Sequence, residues 1–155
     1  ESGSSQAAIG QSDNMFTPLQ LAAYAGAIAN GGKRFKTHLV SKITDYSRKN
    51  TIKEFPPELI SDVAVSEENL KAVKEGMRQV AVSGTAKDFS NFPVKIAAKT
   101  GTAQNSGSDH TTFICFAPYE EPEIAIAVVI EHGKIGMASK NVAKDMLLSY
   151  FDIKN

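Results

Sequence analysis

The sequence contains very little that would cross-link the chain or hold it in a membrane. Cys115 is its single cysteine, which excludes an internal disulfide, and the apolar residues around it predict a small buried hydrophobic side chain. Apolar runs all stay below the roughly 18 residues of a membrane-spanning helix, and no signal peptide is visible. Lys+Arg and Asp+Glu both number 17, so a net charge of zero gives no reason to expect nucleic acid or an anionic membrane as a partner.

The composition is that of one folded unit. The chain has 155 residues, of which 42% are hydrophobic and 22% are charged, enough for a single core. Residues 1–8 are predicted to be a linker, and residues 9–155 are predicted to form one structured region.

Capping and spacing signals predict three helices. Thr17, Pro18 and Gln20 form the start signal of a helix over residues 17–30, with Thr17 as N-cap of a Thr-x-x-Gln capping box. Ser66 caps a second helix that ends at Gly84. Leu70, Val73, Met77 and Val80 repeat at helical spacing and form its predicted apolar face. A third helix is expected over residues 139–151, with a buried face of Val142, Met146, Leu147 and Tyr150.

Strand patterns predict a hairpin and a separate antiparallel sheet. Residues 39–46 and 51–55 form the hairpin, and three strands follow over residues 94–104, 112–117 and 123–131. Short connections make the three strands antiparallel. The last of them is apolar on both faces, so helices should cover the sheet from both sides. The expected fold class is α/β, with an antiparallel sheet sandwiched between helices.

The most informative stretch is Lys99-Thr100-Gly101-Thr102, with Gln104 shortly after it, at the end of an apolar strand. Lysine brings a fixed charge and three donors, and the Thr100 hydroxyl can bond an anion. A glycine at position 101 lets a substrate backbone come close. Such a strand is suited to binding a carboxylate and a carbonyl group, and the first three residues resemble the Lys-Thr-Gly motif of penicillin-binding proteins and serine β-lactamases.

Other segments extend this resemblance to the transpeptidase domain of the penicillin-binding proteins, in the right order over about residues 9–150. These segments are Ile9-Gly10-Gln11, residues 17–22, Ala29-Asn30-Gly31-Gly32, Gly76-Met77 with Val80, Gly84-Thr85-Ala86, residues 110–113, and Phe116-Ala117-Pro118. All of them resemble the second half of that domain. The resemblance therefore implies that residues 9–155 are the C-terminal portion of a transpeptidase domain in the serine D,D-transpeptidase superfamily.

The same resemblance implies that the nucleophile lies outside this sequence. The family carries its serine in a Ser-x-x-Lys motif near the start of the domain, and no such motif stands in that role here. Ser12-Asp13-Asn14 spells the family's second motif, Ser-x-Asn, but it falls where the family has a variable loop. We interpret it as a polar loop before a helix. The fragment alone is expected to be inactive.

Site roles are carried over from the family residue by residue. Lys99 would bond the serine of the second motif, and Thr102 would supply one oxyanion donor through its backbone N–H; these two are the predicted catalytic residues. Thr100, Gly101 and Gln104 are predicted to bind substrate, Thr100 through the terminal carboxylate. Without the family resemblance, Lys99 would be interpreted as a solvated charge. Thr100 and Thr102 would be interpreted as ordinary strand residues.

No metal or other cofactor is predicted. His38, His110 and His132 are scattered and lack the spacing of metal ligands, and a structural or loop role is favoured for His110. Lys99-Thr100 is not a phosphate loop, since the Gly-x-x-x-x-Gly-Lys pattern is absent.

The resemblance implies that the partners are peptidoglycan stem peptides and β-lactam antibiotics. It also implies a place on the extracytoplasmic face of the bacterial membrane, reached through an anchor outside this sequence. Two alternatives stay open, a non-catalytic module that binds cell-wall peptide or β-lactam, and a serine β-lactamase. By the family's topology, strand 123–131 pairs with a strand outside this sequence, so its free edge predicts self-association of the fragment.

Overall fold

The computed structural model describes residues 15–133 and 136–154. Their elements, in chain order, are α1 (Pro18–Ala29), β1 (Lys33–Phe35), β2 (Lys42–Thr44), β3 (Thr51–Glu54), β4 (Leu59–Asp62), α2 (Glu67–Val82), a 3-10 helix (Lys87–Phe89), β5 (Ala97–Ala103), β6 (His110–Ala117), β7 (Ile124–Ile130) and α3 (Met137–Tyr150). The predicted linker, Ile9-Gly10-Gln11 and Ser12-Asp13-Asn14 lie outside the described residues.

Local signals place the starts of α1 and α2 as predicted. The backbone N–H of Gln20 donates to Thr17 Oγ1 at 3.2 Å, and the Thr17 N–H donates to Gln20 Oε1 at 2.8 Å, which completes the capping box. At α2, the Asn69 N–H donates to Ser66 Oγ at 3.3 Å. The Thr17 and Ser66 side chains accept hydrogen bonds from backbone N–H groups that have no intrahelical partner in the first turn.

The main sheet is antiparallel in the order β5–β6–β7. Thr100 lies opposite Phe113, and Phe113 lies opposite Val128, so one line of side chains crosses the sheet on the same face. The three strands were predicted, although β5 is shorter than the predicted range of residues 94–104.

Helices cover both faces of this sheet, as its apolar strands predicted. One core cluster joins Phe113 and Cys115 of β6 to Ala143 and Leu147 of α3. The other joins Phe116 of β6 to residues of α1 and α2, namely Ile28, Ala29 and Met77. Since neighbouring residues of a strand point to opposite faces, β6 contributes to both clusters.

The predicted inner face of α3 is confirmed at Leu147 and wrong at Val142, Met146 and Tyr150. Its buried residues are Ser139, Ala143, Leu147 and Leu148. Val142, Met146 and Tyr150 are 43%, 45% and 50% exposed. The buried face of the helix therefore runs through Ser139, Ala143 and Leu147, which are spaced four residues apart. Val73 of α2, also predicted to be inward, is likewise 46% exposed.

The four short strands between α1 and α2 form two separate two-stranded sheets. The predicted hairpin is present as β2 and β3, with Lys42 opposite Glu54. The pairing of β1 with β4, which brackets this hairpin, was not predicted. Its strands have 3 and 4 residues, too few for a periodic pattern, and they meet across a long sequence separation.

Candidate functional site

The predicted site residues lie together on β5, an edge strand within the described part of the chain. Lys99, Thr100, Gly101 and Thr102 are consecutive in β5, and Gln104 follows the strand as an exposed residue. In the sheet, β5 pairs with β6 on one side only. Since side chains alternate along a strand, Lys99 and Gly101 share one face and the two threonines share the other.

Lys99 is exposed, and its ammonium folds back onto the strand. Nζ donates to the backbone oxygen of Thr100 at 2.6 Å. The positive charge therefore lies beside the residue predicted to bind a carboxylate.

Thr100 is half-buried, and its hydroxyl is already engaged. Thr100 Oγ1 lies 2.7 Å from Thr85 Oγ1, and either oxygen can be the donor. Thr85 belongs to the segment after α2 that carries part of the family resemblance, but sequence reasoning assigned it no role in the site. The signal that could have found it is a hydroxyl residue directly after the glycine that ends a helix.

Gly101 has a structural reason to lack a side chain. Gly101 and Thr112 are cross-strand partners, and a Cβ at Gly101 would lie 2.2 Å from Thr112 Oγ1. The glycine therefore accommodates its neighbour on β6, whether or not a substrate also comes close.

Thr102 is exposed and lies opposite Thr111 on β6. Thr111 is fully buried, and its Oγ1 has no hydrogen-bond partner within residues 15–133 and 136–154. The threonine pair lies near the end of β5, on the face of the sheet that also holds Thr100 and Phe113.

An ion pair lies behind the segment that contacts Thr100. Lys140 of α3, whose side chain is 13% exposed, donates to Asp88 Oδ2 at 2.5 Å and to the Thr85 backbone oxygen at 3.2 Å. The hydrogen bond and charge of Lys140 hold the pKa of the Asp88 carboxyl below its ordinary value of 3.8. Helix α3 is thereby tied to the loop that reaches the motif strand.

Two histidines that are distant in sequence meet at the far end of β5. The His110 and His132 rings lie 4.9 Å apart, and the His132 backbone N–H donates to His110 Nδ1 at 2.9 Å. His38 lies elsewhere, with Nδ1 2.7 Å from the Val40 oxygen. In the described residues, no group of three or more His, Cys, Asp or Glu side chains is arranged to hold a metal ion.

Cys115 is buried, as predicted, and its thiol has low reactivity. Burial raises the pKa of its thiol to about 12. A thiol that stays protonated at neutral pH is a poor nucleophile.

Two surface depressions lie apart from the motif residues. One, of about 290 Å³, lies between α2 and the β6–β7 turn and is lined in part by Lys74 and Tyr119. The other, of about 190 Å³, lies between the end of α1 and the start of β7. The residues Lys99 to Thr102 line neither of them, and they stand on an open strand edge.

Among the described residues there is no helix with the length and apolar character needed to cross a bilayer.

Comparisons with known proteins bear on this geometry. The profile of the penicillin binding protein transpeptidase domain matches residues 1–148. Penicillin-binding protein 2A of Bacillus subtilis is 35% identical in a comparison that covers 96% of this chain and 24% of that protein. Peptidoglycan D,D-transpeptidase MrdA of Acinetobacter baumannii is 34% identical over 152 residues, covering 88% of this chain and 22% of that protein.

A solved structure supports the same fold. The penicillin G acyl-enzyme complex of penicillin-binding protein A from Mycobacterium tuberculosis superposes with a TM-score of 0.75 at 27% identity, covering 96% of this chain and 34% of that one. The chain spans about a quarter of the length of the two curated relatives.

Proposed function

We propose, because the chain belongs to the penicillin binding protein transpeptidase domain family, that it forms the C-terminal portion of a peptidoglycan D,D-transpeptidase. That enzyme would cross-link stem peptides by serine acyl transfer and would be acylated by β-lactams. The main observation in support of the proposal is that all four residues of Lys99-Thr100-Gly101-Thr102 lie in the edge strand β5.

The proposed reaction has two acyl-transfer steps. A serine Oγ supplied from outside this chain attacks the carbonyl of the D-Ala-D-Ala bond, loses its proton, and forms an ester as the terminal D-Ala leaves with a protonated amine. The amine of a second stem peptide then attacks the ester carbonyl. The new amide forms, and the serine regains its proton.

Residues of β5 bind and polarise the donor peptide in this scheme. The Thr100 hydroxyl donates to the substrate's terminal carboxylate, and Lys99 adds positive charge beside it. The backbone N–H of Thr102 stabilises the oxyanion together with the N–H of the nucleophile. The strand edge pairs with the extended peptide, with Gly101 at the point of close approach and Gln104 contacting the substrate beyond the strand.

Partners and location follow from the same proposal. The ligands are stem peptides and β-lactams, and the work takes place on the extracytoplasmic face of the membrane, reached through an anchor outside this chain. The acyl-enzyme complexes solved for the Mycobacterium tuberculosis relative support β-lactam binding.

The first test is Thr100→Val in the intact protein that contains this chain. Valine keeps the β-branched shape and loses the hydroxyl that meets a charged group, which costs about 1.5–3 kcal/mol, or roughly 10- to 150-fold in acylation efficiency. The measurement is the rate of labelling by a fluorescent penicillin. Ser12→Ala is the control and should label at the normal rate, and equally large losses from both variants would contradict this assignment of the site.

The isolated chain provides the second test. It lacks the proposed nucleophile, so a denaturing gel after incubation with the same penicillin should show no covalent band. A stoichiometric band would contradict the proposal that the nucleophile is supplied from outside and would direct attention to a serine of this chain.

A further inference from the structure

The hydroxyl of Thr100 does not stand alone on the motif strand. Its Oγ1 lies 2.7 Å from Thr85 Oγ1, within hydrogen-bond distance. Thr85 comes from the segment that follows α2, fifteen residues earlier in the chain. The contact therefore depends on how that segment is folded against the sheet.

The end of α2 is shaped to deliver Thr85 to this place. The Gly84 N–H donates to the Gln79 oxygen at 3.0 Å, and the Ala86 N–H donates to the Val80 oxygen at 3.0 Å, so the chain turns back on the helix. A Cβ at Gly84 would lie 2.8 Å from Val80 Cα, and only glycine allows this tight turn. Ala86 is fully buried, which anchors the residue directly after Thr85.

Two further contacts hold the segment against the same face of the sheet. The Phe89 ring stacks on Phe113 with centroids 5.6 Å apart and planes 11° from parallel, and Phe113 is the cross-strand partner of Thr100. On the other side, the partly buried Lys140 donates to the Thr85 backbone oxygen at 3.2 Å. Lys140 also pairs with Asp88, so its own position is fixed.

The direction of the hydrogen bond follows from the ligand. A carboxylate only accepts hydrogen bonds, so Thr100 must use its single hydroxyl proton to bind one. The bond between the two threonines can then persist only if Thr85 is its donor. Successive hydroxyl groups that donate in one direction polarise one another, which strengthens the terminal bond.

We propose that Thr85 is a positioning residue of the site: its hydroxyl donates to Thr100 Oγ1 and thereby orients the Thr100 proton toward the carboxylate of the incoming peptide or β-lactam. This inference rests on the proposed function. Thr85 acts through Thr100 and does not itself touch the ligand.

The test measures acylation of the intact protein by a penicillin and by the methyl ester of the same penicillin, with the acyl adduct followed by mass spectrometry. Thr85→Val removes one neutral hydrogen bond and should slow acylation by the free acid about 2- to 12-fold. The ester lacks the carboxylate, so its rate should be the same in Thr85→Val and in the unmodified protein. Thr85→Ser keeps the hydroxyl and should restore the normal rate with the free acid.

A double variant separates positioning from direct contact. If Thr85 acts only through Thr100, Thr85→Val added to Thr100→Val should slow the reaction no further than Thr100→Val alone. Additive losses, equal losses with acid and ester, or no loss in Thr85→Val would each overturn the inference. A normal loss in Thr100→Val beside an unaffected Thr85→Val would overturn this inference and leave the proposed function standing, whereas an unmodified protein that is not acylated would overturn both.

Discussion

At the scale of single residues, the proposed site residues of β5 are also structural members of the main sheet. Gly101 is predicted to let a ligand come close, and its neighbour Thr112 on β6 already occupies the space that a Cβ would take. Thr100 presents a hydroxyl, but that hydroxyl is held by Thr85. Each residue of the motif therefore has a cross-strand or loop partner that determines whether its chemistry is available.

Gly101→Ala should lower the free energy of unfolding. The new Cβ would lie 2.2 Å from Thr112 Oγ1, and overpacking of this kind costs about 1–3 kcal/mol. Adding Thr112→Ala should recover most of the loss, because it removes the colliding atom. Urea unfolding of the chain measures both effects.

Gly76 offers a matched control for this substitution. It lies inside α2, and a Cβ there would meet no atom within 4 Å. Gly76→Ala should raise the free energy of unfolding by about 0.5–1 kcal/mol, since alanine is the better helix former. A Gly101→Ala variant that behaves like Gly76→Ala would show that Thr112 yields without cost.

At the scale of elements, the turn of the β2–β3 hairpin is organised by one carboxylate. Asp45 accepts hydrogen bonds from Ser47 Oγ at 2.8 Å and from Asn50 Nδ2 at 2.7 Å. Arg48 in the same turn has a φ of 59°, which is unusual for a residue other than glycine. The side-chain bonds of Asp45 hold this left-handed turn between two exposed strands.

The Asp45 carboxyl should titrate below its ordinary pKa of 3.8. The bond from Asn50 is the largest cause of the lowered pKa, followed by the bond from Ser47. A lowered folded-state pKa means that the carboxylate stabilises the turn fully above pH 3.8, and that this contribution is lost as the pH falls through the folded-state pKa. Carboxyl NMR titration measures the midpoint directly.

Asn50→Ala is the informative variant for this turn. It removes the leading cause, so the Asp45 pKa should move back toward 3.8 while the fold of the main sheet is unchanged. An unchanged midpoint in Asn50→Ala would mean that this side chain is not the source of the shift.

At the scale of the whole molecule, the main sheet has two edges with different surroundings. Within the described residues, β5 and β7 each pair with β6 alone. The edge strand β5 carries the polar motif, whereas β7 reads Ile-Ala-Ile-Ala-Val-Val-Ile without a charge. Helices α1 and α3 pack on the faces of β7.

We expect the isolated chain to self-associate through the β7 edge. An uncharged apolar strand with a free row of N–H and C=O groups recruits another strand readily. Light scattering coupled to size exclusion, over a range of concentrations, should detect a dimer or a larger species. Val129→Lys places a charge on this strand and should shift the chain toward monomer.

Self-association through β7 would be contradicted by the following result. A strictly monomeric chain at high concentration, with protection in hydrogen exchange of the β7 amides that do not bond to β6, would show that other residues of this chain cover the edge.

Fold and site differ in how far they could be read from the sequence. The starts of α1 and α2 depend on a capping side chain that accepts a hydrogen bond from the backbone N–H three residues further on. The three central strands depend on runs of adjacent apolar residues. Such signals are local, and the structure confirms them. On α3 only Leu147 was predicted correctly, because the side of a helix that meets the sheet is decided by tertiary packing. Ser139 and Ala143 are buried there, whereas Val142 and Met146 are exposed.

The sequence by itself determined the caps of α1 and α2, the antiparallel strands and the placement of Lys99 to Thr102 on one strand, because each rests on residues close together in the chain. It also determined the family membership, through short segments in the right order along the chain. Tertiary structure alone decided which distant groups meet: β1 with β4, His110 with His132, Lys140 with Asp88, and above all Thr85 with Thr100. Such contacts depend on the turn angle of a loop and on the depth at which a helix packs. A short polar segment carries no periodic signal for either, so only the folded chain shows that the Thr100 hydroxyl has a partner.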